Sequence, residues 1–230
     1  MTINRHPATS SVWRSEAGVT RRWLVGLLAG ALIALADAPA GLAHSLEAVE
    51  KMLSDREFYL EVVNQRAADF TLLDPSGRAV NLKEFRGKVV VLYFIYTNCP
   101  DECPLQSEKL AGIQKAINAT PMRDMVRFIA VTTDPRRDTP AVLRAYGPLH
   151  GLDPANWVFL TSGIDRPAAT RNLAGQYGLK FTPGEGSVQT HGIVTHVIDK
   201  SGNLRARYHG LKFNDTNLII HINALTNDNH

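Results

Sequence analysis

Hydropathy along the chain falls into alternating blocks, the most pronounced being Lys88 to Tyr96 (KVVVLYFIY). It is apolar throughout and rich in β-branched and aromatic residues, which predicts a central strand buried on both faces. Arg127 to Thr132 (RFIAVT) predicts a second buried strand, and Trp157 to Leu160 a third. Between these blocks the apolar residues change to helical spacing. Leu110, Ile113 and Ile117 fall within a helix expected over Leu105 to Asn118. Val142, Tyr146 and Leu149 follow a helix start in which Thr139 is the cap and Pro140 the first residue. Asp165 to Tyr177 reads as a further helix capped by Asp165. Upstream, Ser45 to Leu60 has the pattern of an amphipathic helix. Asp69 to Leu73 and Ala79 to Leu82 flank a turn at Asp74-Pro75-Ser76-Gly77. Gly192 to Asp199 and Arg205 to Tyr208 predict a late hairpin around Lys200-Ser201-Gly202, followed by a last helix carrying Leu218, Ile222 and Leu225. Strands alternating with helices predict an α/β domain: a central, mostly parallel sheet, flanking helices and a C-terminal antiparallel hairpin.

The N-terminus departs from this pattern. Trp23 to Ala36 (WLVGLLAGALIALA) is an uncharged, mostly apolar run of 14 residues behind Arg21 and Arg22, with Gly41-Leu42-Ala43 as a small-residue exit. These are the parts of an export signal. Thr20-Arg21-Arg22-Trp23-Leu24 also approximates a twin-arginine signal. An uncleaved anchor is the rival reading, although Asp37 ends the run short of the roughly 20 apolar residues a spanning helix needs. A mitochondrial presequence is the third. All three place the domain outside the cytosol, with the bacterial periplasm preferred. The expected organisation is 1–43 as export signal or membrane anchor, 44–67 as a helical extension and 68–227 as the main domain.

Charge adds little. The chain holds 25 basic and 22 acidic residues, and four of the former and two of the latter lie in residues 1–43. What remains is nearly neutral, which excludes the electrostatic footprint of a nucleic-acid binder.

The two cysteines, Cys99 and Cys103, lie just past the strongest predicted strand. Ligands of open α/β sheets gather outside the carboxyl ends of the central strands, so this is a plausible place for chemistry. In an exported chain one would first read a structural disulfide. A bridge across so short a loop removes little entropy from the unfolded chain and adds little stability, so the spacing points to a working, redox-active pair. The segment Tyr96-Thr97-Asn98-Cys99-Pro100-Asp101-Glu102-Cys103-Pro104 is expected to be the loop feeding a helix N-terminus, where thiolates are stabilised. Two thiolates also form an incomplete metal site. Structural zinc wants four protein ligands, whereas Cu(I) is satisfied by two or three. Among eight histidines, His191, His196 and His209 are the candidates for a third ligand. On one strand His191 and His196 would face opposite sides, so at most one would point at the cysteines. Asp134 reads either as a turn-former before Pro135 or as an outer-shell acceptor, and Asp138 as a local cap or an ion pair with Arg136 or Arg137.

At this point the sequence resembles the Sco/SenC family of thioredoxin-fold copper proteins. The resemblance spans about Ala68 to Leu225 and is carried by Tyr96 to Pro104, by Asp134-Pro135-Arg136-Arg137-Asp138-Thr139, and by a histidine eleven residues before Gly202, which is His191. It implies a thioredoxin-like fold and a copper site, Cu(I) or Cu(II), made by Cys99, Cys103 and His191. It also implies delivery to the CuA centre in subunit II of cytochrome c oxidase, and a further periplasmic copper chaperone or thiol reductant as a second partner. Where the family has Asp-His-Ser or Asp-His-Thr, this chain has Thr190-His191-Gly192. Two other functions compete: thiol-disulfide exchange by the cysteines alone, and a peroxidase. The peroxidase is disfavoured because Thr97 lies two rather than three residues before Cys99.

Overall fold

A computed structural model describes residues 45–183 and 189–228, without the side chains of 182–183 and 189–191. The segment 1–43, with its apolar run and small-residue exit, lies outside the described residues. The order is α1 (Leu46–Ser54), β1 (Leu60–Arg66), β2 (Thr71–Leu73), β3 (Ala79–Asn81), β4 (Val89–Ile95), α2 (Glu102–Asn118), β5 (Val126–Thr132), α3 (Pro140–Leu149), β6 (Trp157–Leu160), α4 (Ala169–Gln176), β7 (Phe181–Pro183), β8 (Gln189–His191), β9 (Val194–Ile198), β10 (Asn203–His209) and α5 (Asp215–Asn227).

All seven residues of β4 are buried. Successive side chains on a strand point to opposite faces. Val89, Val91, Tyr93 and Ile95 accordingly join one core with Leu110, Ile113 and Ile117 of α2 and Leu218, Ile222 and Leu225 of α5. Val90, Leu92 and Phe94 join the other, with Leu72, Val80 and Leu173. Each such large apolar side chain contributes about 1.5–3 kcal/mol on burial, so this strand anchors both layers. The six-stranded sheet runs β1-β10-β9-β4-β5-β6. Parallel pairing is confined to β4–β5 and β5–β6, while β9, β10 and β1 add antiparallel neighbours. The α/β class, the flanking helices and the C-terminal hairpin agree with expectation.

Outside the cysteine segment and the β7–β8 ribbon, three elements differ from the hydropathy reading. The first helix ends at Ser54 rather than Leu60, and the following segment, expected to extend it, is strand β1 against β10. This strand is polar and mostly exposed. Backbone pairing places it rather than an apolar face, and that is why alternation did not reveal it. Buried carboxylates secure the same corner. Glu50 accepts two hydrogen bonds from Arg205 Nη2, at 2.9 and 2.8 Å, and lies 3.3 Å from His221 Nε2. Glu57 accepts from the Asn214 N–H and from Asn217 Nδ2, both at 2.9 Å. Burial opposes the charge on Glu50, but hydrogen bonds from His221 and Arg205 outweigh it and keep the carboxyl below its usual range. Third, α4 starts at Ala169 with Ala168 as its cap, not at Asp165. Pro167 disfavours helical angles at the residue before it, which delays the helix.

His196 lies on the face of β9 turned away from α2, between Tyr177 (5.1 Å between ring centroids) and Phe94 (5.9 Å). Its Nε2 is 3.1 Å from the Tyr177 carbonyl and its Nδ1 3.3 Å from that of Leu92. Burial pushes its pKa down from 6.5 to about 4 despite those two carbonyls, so the ring is neutral at pH 7 and donates to one of them at a time. The unfolded chain therefore takes up this proton first as pH falls. Stability associated with His196 is complete above pH 6.5 and is lost down to about pH 4. The loss is on the order of 3 kcal/mol over the whole window. A His196→Gln variant is expected to show a flatter dependence of thermal stability between those pH values than the wild type; parallel profiles would rule out His196 as the source.

Candidate functional site

Strand β4 ends at Ile95, where Thr133 N–H donates to the Ile95 carbonyl at 2.8 Å. After six intervening residues the chain enters α2, three residues earlier than its apolar spacing suggested. Pro104 sits in the first turn, where a missing N–H costs nothing because it would have no helical partner. Cys103 is therefore in the first turn of the helix and only Cys99 is in the loop, a correction to the expectation that both precede the helix. Both are free thiols; Cys99 is half-buried, while Cys103 is 1% exposed and packed in the core. The loop closes on itself through Cys99 N–H to the Tyr96 carbonyl at 3.2 Å.

The helix has Asp101 at its cap position, but that side chain makes no capping hydrogen bond. The Cys99 sulfur takes the role instead, accepting from the N–H groups of Asp101 and Cys103. Burial alone would raise the Cys99 pKa. The Cys103 thiol, those two N–H groups and the Tyr96 hydroxyl outweigh it and hold Cys99 below the ordinary thiol range. Cys103 goes the other way. Burial raises it strongly, and a hydrogen bond and charge repulsion from Cys99 raise it further. Cys99 is thus the more acidic thiol of the pair, and its neighbour Cys103 keeps the proton. That asymmetry suits both metal capture and stepwise disulfide exchange.

Polar and aromatic groups back the pair. Trp157 Nε1 donates to Tyr93 Oη at 3.1 Å, and Ser107 Oγ lies 3.1 Å from Tyr146 Oη. Burial raises the pKa of both tyrosines, so they stay neutral hydrogen-bonding groups. Gln106, one turn beyond Cys103, donates through Nε2 to Thr195 Oγ1 at 3.1 Å and the Val194 carbonyl at 3.3 Å. This joins the cysteine helix to β9, just past His191.

The loop after β5 corrects the expectation for Asp138 and selects between the two for Asp134. Asp138 is neither a cap nor the partner of an arginine. Its carboxylate is 1% exposed and accepts from Thr97 N–H at 3.2 Å, from Thr97 Oγ1 and from Thr132 Oγ1. Thr139 makes the cap, at 3.5 Å from Val142 N–H. Asp134 is the turn-former: its carbonyl accepts from Arg137 and Asp138 N–H, and its carboxylate pairs with Arg137 at 3.1 Å. The only signal for Asp138 in the sequence was an acid between two threonine-bearing segments, and contact order hid it because Thr97 is 41 residues away.

The histidines separate cleanly. His196 is committed to two carbonyls. His209 lies on the surface, 3.0 Å from Glu61. His221 is fully buried between Tyr208 Oη and Glu50. His150 stacks on Tyr146, with 4.3 Å between ring centroids. His191 ends β8, paired through its backbone with Phe181; its side chain lies outside the described residues. It is on a different strand from His196, so the parity argument between them does not apply. Among the described residues, no three His, Cys, Asp or Glu side chains gather in a metal-binding group. The donor set present is two adjacent soft thiols, which fits copper and leaves a structural zinc site two ligands short.

A dithiol at the junction of a central strand and a helix, on a sheet of this topology, defines a thioredoxin-like protein. The SCO1/SenC family model matches residues 61–227, and the chain belongs to that family. It is 38% identical over 132 residues to the mitochondrial SCO2 homolog of Bos taurus, covering 56% of this chain and 47% of that protein. The chain spans about half the length of the curated relatives it matches. Among solved structures, apo Sco1 from Thermus thermophilus superposes with a TM-score of 0.58 at 30% identity, covering 73% of this chain and 96% of that one. Copper-bound ScoI from Bradyrhizobium japonicum gives a TM-score of 0.57 at 26% identity, covering 70% and 99%.

In the reduced protein at pH 7, iodoacetamide is expected to alkylate Cys99 well before Cys103, as read by peptide mass spectrometry. Tyr96→Phe removes one donor to the Cys99 sulfur and is expected to slow that reaction by on the order of 10-fold, since a hydrogen bond to a charged group contributes about 1.5–3 kcal/mol. Equal rates at the two cysteines would contradict the proposed asymmetry.

Proposed function

We propose that Cys99, Cys103 and His191 bind one copper ion, and that the protein carries it to the CuA centre in subunit II of cytochrome c oxidase. The observation that carries this reading is the thiol pair, with one sulfur capping α2 and the other buried beside it with a raised pKa. Two thiolates and an imidazole form a soft donor set suited to Cu(I) that also holds Cu(II). The copper-bound relative supports copper as the cargo. His191 is supported by the hydrogen-bonding engagement of His150, His196, His209 and His221 elsewhere. Binding requires Cys103 to lose its proton, so copper capture releases protons and weakens as pH falls.

A second reading uses the same atoms. The unequal thiols fit a thiol-disulfide reductant in which Cys99 attacks a partner disulfide and Cys103 resolves the mixed disulfide. The partner would be the cysteines of the receiving copper protein, or another periplasmic copper chaperone or thiol reductant. Both readings require a location outside the cytosol. Residues 1–43 support export to the bacterial periplasm, with the domain either released or anchored to the inner membrane. No helix among the described residues is long and apolar enough to cross a membrane.

Anaerobic copper titration separates these readings. The reduced wild type is expected to bind one copper, Cys99→Ser to lose it, and His191→Ala to weaken Cu(II) binding far more than it lowers thermal stability. Unchanged Cu(II) affinity in His191→Ala would refute the three-ligand site. Rapid metal-free disulfide turnover without stable copper binding would favour the reductant.

A further inference from the structure

We propose that Asp138 is a positioning residue for the cysteine pair: through Thr97 it clamps the start of the Cys99 loop to the end of β5 and so keeps Cys103 enclosed.

The carboxylate of Asp138 is buried, yet the nearby arginine that could neutralise it, Arg137, pairs with Asp134 at 3.1 Å instead. Burying a carboxylate among neutral donors is costly. Asp138 does not offset that cost by capping α3, since Thr139 does so, nor by shaping the turn, since the Asp134 carbonyl does that. Among the described residues, its side-chain partners are the Thr132 hydroxyl at the end of β5 and the Thr97 N–H and hydroxyl two residues before Cys99.

This attachment completes the loop's restraints. Ile95 is held by Thr133 at 2.8 Å, Thr97 by Asp138 at 3.2 Å, and Cys99 by its own N–H to Tyr96 at 3.2 Å. At its far end the loop is held by the Cys99 sulfur on the N–H groups of Asp101 and Cys103. Asp138 reaches the loop from a separate element. Without it, Asn98 to Asp101 is held by bonds within the loop itself, the Cys99 N–H on the Tyr96 carbonyl and the Cys99 sulfur, and that sulfur must change partners whenever it binds metal or forms a disulfide. A clamp independent of the thiols lets them react while the loop holds its course.

The effect on copper rests on the copper reading above; the effect on Cys103 enclosure does not. The test uses the reduced full-length protein with Asp138→Asn, Thr97→Val and Thr97→Ser. It measures the Cys103 alkylation rate, copper affinity by competition with a chelator, and thermal stability. Asp138→Asn and Thr97→Val are expected to raise Cys103 alkylation on the order of 10-fold, equivalent to one lost charge-assisted hydrogen bond. Copper affinity is expected to fall about 10–100-fold, the usual cost of losing an outer-shell support. Thr97→Ser keeps both donors and should stay close to the wild type. If Asp138→Asn and Thr97→Val lower only the melting temperature, with Cys103 protection and copper affinity intact, Asp138 is merely structural and the proposal fails. If Asp138→Asn does not fold, Thr97→Val decides alone. Should the wild type bind no copper while Cys103 opens in the variants, the clamp stands and the copper reading falls.

Discussion

Strand β4 has no exposed residue, and a strand buried on both faces can end only where the chain finds a way to satisfy its backbone and return to the surface. Here the return is made within six residues, between Ile95 and the first turn of α2. Both cysteines fall in or beside that passage. The central strand thus fixes the depth of the site: Cys103 is in the core because α2 must pack Leu110, Ile113 and Ile117 over the sheet, and Cys99 is half-buried because it lies one turn further out.

From that placement the chemistry follows electrostatically. A helix N-terminus offers unpaired N–H groups, and the sulfur nearest to them is stabilised as a thiolate. The other sulfur is shut into an apolar core beside that negative charge and keeps its proton. Two identical side chains thereby acquire different roles from position alone. Tyr96 strengthens the difference from within the loop. Asp138, Ser107 and Gln106 tie the loop and the helix to β5, α3 and β9. The opposite corner of the domain is held by buried charge: Glu50 between Arg205 and His221, and Glu57 on the backbone before α5.

Much of the fold could be read from periodicity. β4, β5 and β6 announced themselves as apolar runs, and α3 by the Thr139-Pro140 start. Polar β1 could not be read this way, because an edge strand held by backbone bonds needs no apolar face. The ribbon of β7 and β8 escaped for the same reason, and with it the separation of His191 from His196. Of the site, the cysteine pair was legible from its spacing. The roles of Asp138 and His221 were not, since each depends on partners brought together from distant parts of the chain.

Local patterns along the chain were enough for the α/β class, the position of the cysteines at the exit of the central strand, and the likeness to Sco proteins. Packing set which cysteine is the more acidic and which is enclosed, that Asp138 serves the loop rather than its own turn, and that His196 and His221 are structural. Burial and hydrogen-bond partners set a group's charge, and both are properties of residues far apart in sequence that only packing brings within reach.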